Sequence, residues 1–177
     1  MDSIEAIIAI AKHCVCTTFT DICECCGHSG VALPPASDCC ECEDGKTGRA
    51  YVQVERVYAV GSPFPSQART AAKCGRTQLA VEFSVTVYRC VATIDGTNQP
   101  TCDTTTAEMV RNIKDMATVR QALLCCMKEE AFYNSSFQIA LLEQTPLNPE
   151  GGCGGTTTKV VATADNSILQ SDILTVL

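Results

Sequence analysis

Residues 77–90 read TQLAVEFSVTVYRC. Leu79, Val81, Phe83, Val85 and Val87 alternate with Gln78, Glu82, Ser84, Thr86 and Tyr88, and only Ala80 blurs the polar side. A two-residue period over that length predicts a β-strand with one face on a core and one facing water or a partner. Thiols bracket it, Cys74 before and Cys90 at its end. The rest of the chain is organised around this strand.

Working outward, Arg49 to Val60 predicts a second strand, with Val52, Val54 and Tyr58 on one side and Tyr51, Gln53 and Glu55 on the other. The Gly61-Ser62-Pro63-Phe64-Pro65 run ends it, because proline donates nothing to a ladder. Thr104 to Glu130 predicts the main helix. Thr105 and Glu108 have capping-box spacing, and Met109, Val110, Ile113, Met116, Ala117, Leu123, Leu124 and Met127 form a broad apolar stripe fit to cover a sheet. Phe137, Ile139 and Leu141 alternate in a third strand that is expected to end near Pro146 and Pro149. A fourth follows the glycines in TTTKVVAT. At the N-terminus, Ser3 to Lys12 predicts a helix with Ile4, Ile7, Ile8 and Ala11 on one face.

Strands in pairs with helices between them indicate an α+β domain: a four-stranded, mainly antiparallel or mixed sheet with helices packed on one face. Extended N- and C-terminal arms complete it. The expected organisation is a single domain over 1–177, with a helix and Cys-rich arm at 1–45, the α+β core at 46–163 and a C-terminal arm at 164–177.

The chain has 177 residues, 46% of them hydrophobic and 19% charged, which is a globular composition. A net charge of -7 argues against binding the outside of a nucleic-acid duplex, where phosphates call for clustered Lys and Arg. No stretch has the roughly 20 apolar residues of a membrane-spanning helix. Met1 to Ala11 carries Asp2 and Glu5 and lacks a basic start, so it is a poor export signal, and synthesis and assembly in a cytosol are expected.

Fourteen cysteines sit awkwardly with that expectation. The segment from Cys14 to Asp44, expected as a loop or irregular arm, holds eight of them and His28, with His13 just before it. Cys23-x-x-Cys26 and Cys39-x-x-Cys42 have zinc-knuckle spacing, so these four residues are the metal candidates. The competing reading is packed or oxidised thiols, since free Cys behaves as a small buried hydrophobe. Nucleophilic thiol chemistry would need a base from His13 or His28, and neither stands in a protease signature. Catalytic residues and cofactors are therefore not assigned. Gly151 to Gly155 lacks the Gly-Lys-Ser/Thr of a P-loop and is expected to be a tight turn or close backbone approach.

In order along the chain come Asp38-Cys39-Cys40, Glu55-Arg56-Val57-Tyr58 running into Phe64-Pro65, and Cys74-Gly75 before LAVEFSVTVYRC. A helix with a thiol near its end follows, and then Pro146-Leu147-Asn148-Pro149-Glu150-Gly151-Gly152-Cys153-Gly154-Gly155. Over about residues 38–162 this resembles the tail-terminator and neck proteins of long-tailed actinobacteriophages. The resemblance implies a virion part assembled in the host cytoplasm. It would form a ring, typically of six subunits, that caps the tail tube, ends its growth and meets a head-side connector. Genomic DNA would pass through the lumen unbound, and no membrane would be involved. A head-completion or stopper protein is the neighbouring alternative, and a small zinc-binding module the alternative from another class.

Two further expectations concern contacts. Cys74, Cys90, Cys126 and Cys153 flank strand and helix ends and are expected to pair across the core. The polar strand face (Gln78, Glu82, Thr86 and Tyr88) and the glycines Gly151, Gly152, Gly154 and Gly155 are the candidate subunit contacts.

Overall fold

The computed structural model describes residues 3–30, 39–40, 46–68, 78–93, 99–130 and 137–163. The elements are α1 (Ser3–Thr18), β1 (Glu24–Ser29), β2 (Arg49–Ala59), β3 (Leu79–Cys90), α2 (Cys102–Gln121), a π turn (Ala122–Cys126), a last helical turn α3 (Met127–Glu130), β4 (Gln138–Glu150) and β5 (Cys153–Thr163). The fold is α+β. The strands make one five-stranded sheet in the order β1-β2-β3-β5-β4, in which only the β1–β2 pair is parallel.

Alternation in β3 sets its core face as the period requires, but the other face, expected to meet water or a partner, is buried as well. Val81, Phe83, Val85 and Val87 share a core with Ala50 and Val52 of β2 and Val160 and Ala162 of β5, roofed by α1 and the end of α2. α1 contributes Ile7, Ile10, Ala11, Cys14 and Val15. At roughly 1.5–3 kcal/mol for each large apolar side chain removed from water, this one cluster is the main stabilising term.

The fifth strand is a correction to the sequence expectation. β1 lies inside the segment expected as an irregular arm, and its sequence ECCGHS shows no apolar alternation. It is an edge strand held from outside itself: Cys25 is bonded to Cys16 of α1, and Gln53 Nε2 donates to the carbonyl of Gly30 just past its end. β4 also departs from expectation. It runs through Pro146 and Pro149 to Glu150, which an edge strand tolerates because its outer N–H groups have no ladder partner.

The main helix differs in three ways. It begins at Cys102, with Thr101 as N-cap accepting from the Thr104 amide at 3.2 Å. Glu108, expected in a capping box, instead accepts from the amide of Ala92 at 2.6 Å. Its face is turned as well: Asp115, Val119, Ala122, Leu123 and Met127 are buried, while Met109, Val110 and Ile113 are 54%, 41% and 57% exposed. The cause is Arg89, described below, which draws Asp115 to the sheet. The π turn then adds a residue to the helical phase, so that Leu123 and Met127 reach the core. Cys126, the last residue of that turn, is bonded to Cys14 of α1.

Candidate functional site

Cys90 ends β3 and Cys153 begins β5, and the two are register partners. The Val91 amide donates to the Gly152 carbonyl at 2.9 Å, the bond that flanks a non-hydrogen-bonded pair, where side chains stand closest. Yet each sulfur bonds elsewhere. Cys153 is joined to Cys39 and Cys90 to Cys40, so two adjacent residues clamp the paired ends of two strands. The Sγ atoms of Cys39 and Cys40 are 3.8 Å apart, which gathers four sulfurs at one sheet end. Cys39 and Cys153 are buried against Tyr88, with Tyr51 and Leu147 packed around them, and Cys40 is exposed.

The same end carries an ion cluster on the opposite sheet face, buried at Arg89 and Asp115 and open to solvent at Asp21. Arg89 has the parity of Val85 and Val87 and so points into the apolar side. Its Nε and Nη2 donate to the two carboxylate oxygens of Asp115 at 2.9 and 3.0 Å. Nη1 and Nη2 donate to Asp21 at 2.9 and 3.3 Å, and Nη1 also donates to the Thr47 carbonyl at 3.0 Å. All five guanidinium N–H groups are thereby satisfied. Phe19 lies under the guanidinium, 5.6 Å from it to the ring centre. Burial alone would lower the Arg89 pKa, but the hydrogen bonds to Asp115 and Asp21 outweigh it and hold the group charged. The cluster ties β3, α2 and the turn after α1 together, and its groups are occupied with one another.

The candidate residues fall as follows. Of the zinc set, Cys23 and Cys39 are disulfide-bonded and so are not thiolate ligands, Cys26 is a free, half-buried thiol, and Cys42 lies outside the described residues. Among the described residues no cluster of His, Cys, Asp and Glu is arranged to hold a metal. His13 is exposed on α1 and His28 on β1, in separate elements. Of the structural thiols, Cys90, Cys126 and Cys153 are bonded to Cys40, Cys14 and Cys39 in the N-terminal segment, and Cys74 lies outside the described residues.

The contact candidates need a larger correction. Glu82, Thr86 and Tyr88 are buried within the chain, and Gln78 alone of that set is exposed. Glu82 is engaged by Arg56 at 2.6 Å, and Thr86 shares a 3.2 Å hydroxyl–hydroxyl hydrogen bond with Thr157 of β5. Gly151 and Gly152 form the two-residue β4–β5 turn with φ of 57° and 81°, the left-handed pair that such hairpins require. Gly155 is buried, and a Cβ there would overlap the Val87 carbonyl oxygen on β3, so the position calls for glycine. Gly154 is buried too, next to Val91. Of the four, Gly151 is exposed and Gly152 half-buried at the turn, while Gly154 and Gly155 lie inside the sheet.

Sequence reasoning missed the Arg89 cluster and the free helix face. The first had a legible signal, since an Arg at the next odd position of an apolar strand face must bring a counter-ion. The second follows from the first, because the helix turns Asp115 inward and its apolar stripe outward. A scan against protein-family models finds no match for the chain, and a search of curated proteins finds none either.

Proposed function

We propose that the chain is a structural subunit of a phage neck, a tail terminator that assembles as a ring on the finished tail tube, ends its growth and joins tail to head. One observation carries this reading. Three of the separate motifs that resemble the neck family, Cys39-Cys40, the strand ending in Cys90, and the glycine run around Cys153, meet in one disulfide junction. Residues that look unrelated along the chain thus form one piece of architecture.

The role is mechanical rather than catalytic. A subunit at the head–tail joint holds its shape while DNA moves past, and covalent ties between elements over 100 residues apart in sequence suit that duty. Disulfides persist on virion surfaces, so the clamp belongs to the released particle even though the subunit is made in the host cytoplasm. With a net charge of -7, a ring with acidic groups towards its lumen lets DNA slide without sticking. A lumen lined by Lys and Arg in the assembled ring would sink that part of the reading.

The test is tube polymerisation. Tail-tube protein of the same phage, polymerised alone, is expected to give tubes of open-ended length. With this protein added, growth stops and negative-stain images show a ring at tube ends. Binding to the head-side connector without capping tubes would assign the stopper position instead. Indifference to both would remove the neck reading.

A further inference from the structure

α2 carries a second, self-complementary pattern on the face turned away from the sheet. Thr106, Val110, Ile113, Ala117 and Arg120 follow one another at alternating steps of four and three, the 3.5-residue period of a helix-packing seam, and every one is exposed. Met109 borders the seam, also exposed. Asp115, which the sheet holds through Arg89, lies on the opposite side of the helix, so the seam is aimed outward by a buried ion pair. The exposure is thus built into the fold.

The charges along this face are segregated. Asp103 stands at its N-terminal end, and Lys114 and Arg120 towards its C-terminal end, all exposed. If a second copy of the helix is laid antiparallel across the seam, with the two-fold axis between Val110 and Ile113, every position finds a fitting partner. Asp103 meets Arg120, Thr106 meets Ala117, and Val110 meets Ile113. The two-fold makes each of these contacts twice.

We propose that the α2 seam is the site of a reversible, antiparallel two-fold dimer of this chain. Its size sets its strength. The seam from Asp103 to Arg120 runs roughly 26 Å at 1.5 Å per residue, one helix face wide, which falls short of the roughly 800 Å² per partner of a stable interface. The dimer is therefore weak and concentration-dependent. A two-fold contact cannot propagate around a ring, so this dimer is independent of the neck reading: it covers the apolar seam while the chain is free.

Sedimentation velocity on the full oxidised chain tests it, over roughly 1 µM to 1 mM, the span of weak association. Exposed thiols Cys102 and Cys125 are first capped with iodoacetamide so that chance cross-links do not count. A monomer–dimer equilibrium is expected. Ile113→Lys should shift it at least roughly tenfold towards monomer, as should Arg120→Asp, while Asp103→Arg combined with Arg120→Asp regains most of the loss. Circular dichroism confirms that each variant is folded. Monomer throughout the series would overturn the proposal, as would a dimer indifferent to Ile113→Lys or a double variant no better than the single. Larger rings insensitive to these changes would likewise contradict the dimer while leaving the neck reading in place.

Discussion

Cys90 and Cys153 face each other across the β3–β5 ladder at a position where two cysteines could bond directly, and they do not. Each instead takes one of the adjacent residues Cys40 and Cys39. The consequence is that the Cys39–Cys40 segment is tied to both strands, where a direct Cys90–Cys153 bond would tie only the two strands to each other.

The two links make a prediction about stability. They start from adjacent residues but run to different parts of the chain, so with either one intact the other still closes a loop of about 50 residues or more. Cys40→Ser/Cys90→Ser and Cys39→Ser/Cys153→Ser should therefore each cost about 3–4 kcal/mol in chain entropy, and removing both pairs about 7–8 kcal/mol. Denaturant unfolding of the three variants checks this. A double loss no larger than a single one would show that one link already fixes the junction.

Arg89 should tolerate little change. Arg89→Met leaves Asp115 buried without its cation, and a loss of about 3–5 kcal/mol is expected. Arg89→Lys should recover only part of this, because an ammonium cannot reproduce the five-donor fork that spans Asp115, Asp21 and Thr47. Arg89→Met combined with Asp115→Leu should lie well above the single variant in thermal unfolding. If the single variant is as stable as the parent, the cluster is not what holds α2 in its orientation.

Much of this fold is legible in the sequence. The alternation in β3 gives its core face, though not the burial of Glu82, Ser84 and Thr86 on the other; the glycines give the β4–β5 turn, and the apolar spacing of Ile7 and Ala11 gives the α1 face. β1 is not legible, because ECCGHS draws its stability from a disulfide and a neighbour's Gln53 rather than from its own pattern. The orientation of α2 escaped for a related reason: periodicity ranks apolar stripes, whereas a buried charge at Arg89 outweighs several exposed methyl groups. Disulfide partners are illegible in principle, since thiol spacing along a chain does not encode which ends meet in space.

The glycine run offers a test that separates architecture from contact. Gly155→Ala puts a Cβ into the Val87 carbonyl and should destabilise the chain by roughly 2–3 kcal/mol. Gly151→Ala, at a φ of 57° with open space around it, should cost only about 1 kcal/mol, the left-handed penalty alone. Equal effects from the two substitutions in thermal unfolding would contradict the assignment.

Cys26 should show a displaced pH response. Burial, and then the hydrogen bond and charge of Glu24, raise its thiol pKa above the ordinary value. The folded chain holds that proton longer than the unfolded chain does. The associated stability is therefore complete below the ordinary thiol range and is lost as pH rises through the raised value. Alkylation followed by mass spectrometry should give a Cys26 rate profile shifted to higher pH than in the denatured chain, and Glu24→Gln should move it part of the way back. A profile matching the denatured chain would remove the predicted shift.

The most direct measurement is a non-reducing peptide map of the intact protein, with fragmentation between Cys39 and Cys40 to separate their partners. Cys39 is expected with Cys153, and Cys40 with Cys90. Recovery of Cys39 joined to Cys40 and Cys90 joined to Cys153, or of all four as free thiols, would contradict the clamp and with it the account of this chain as a covalently braced structural subunit.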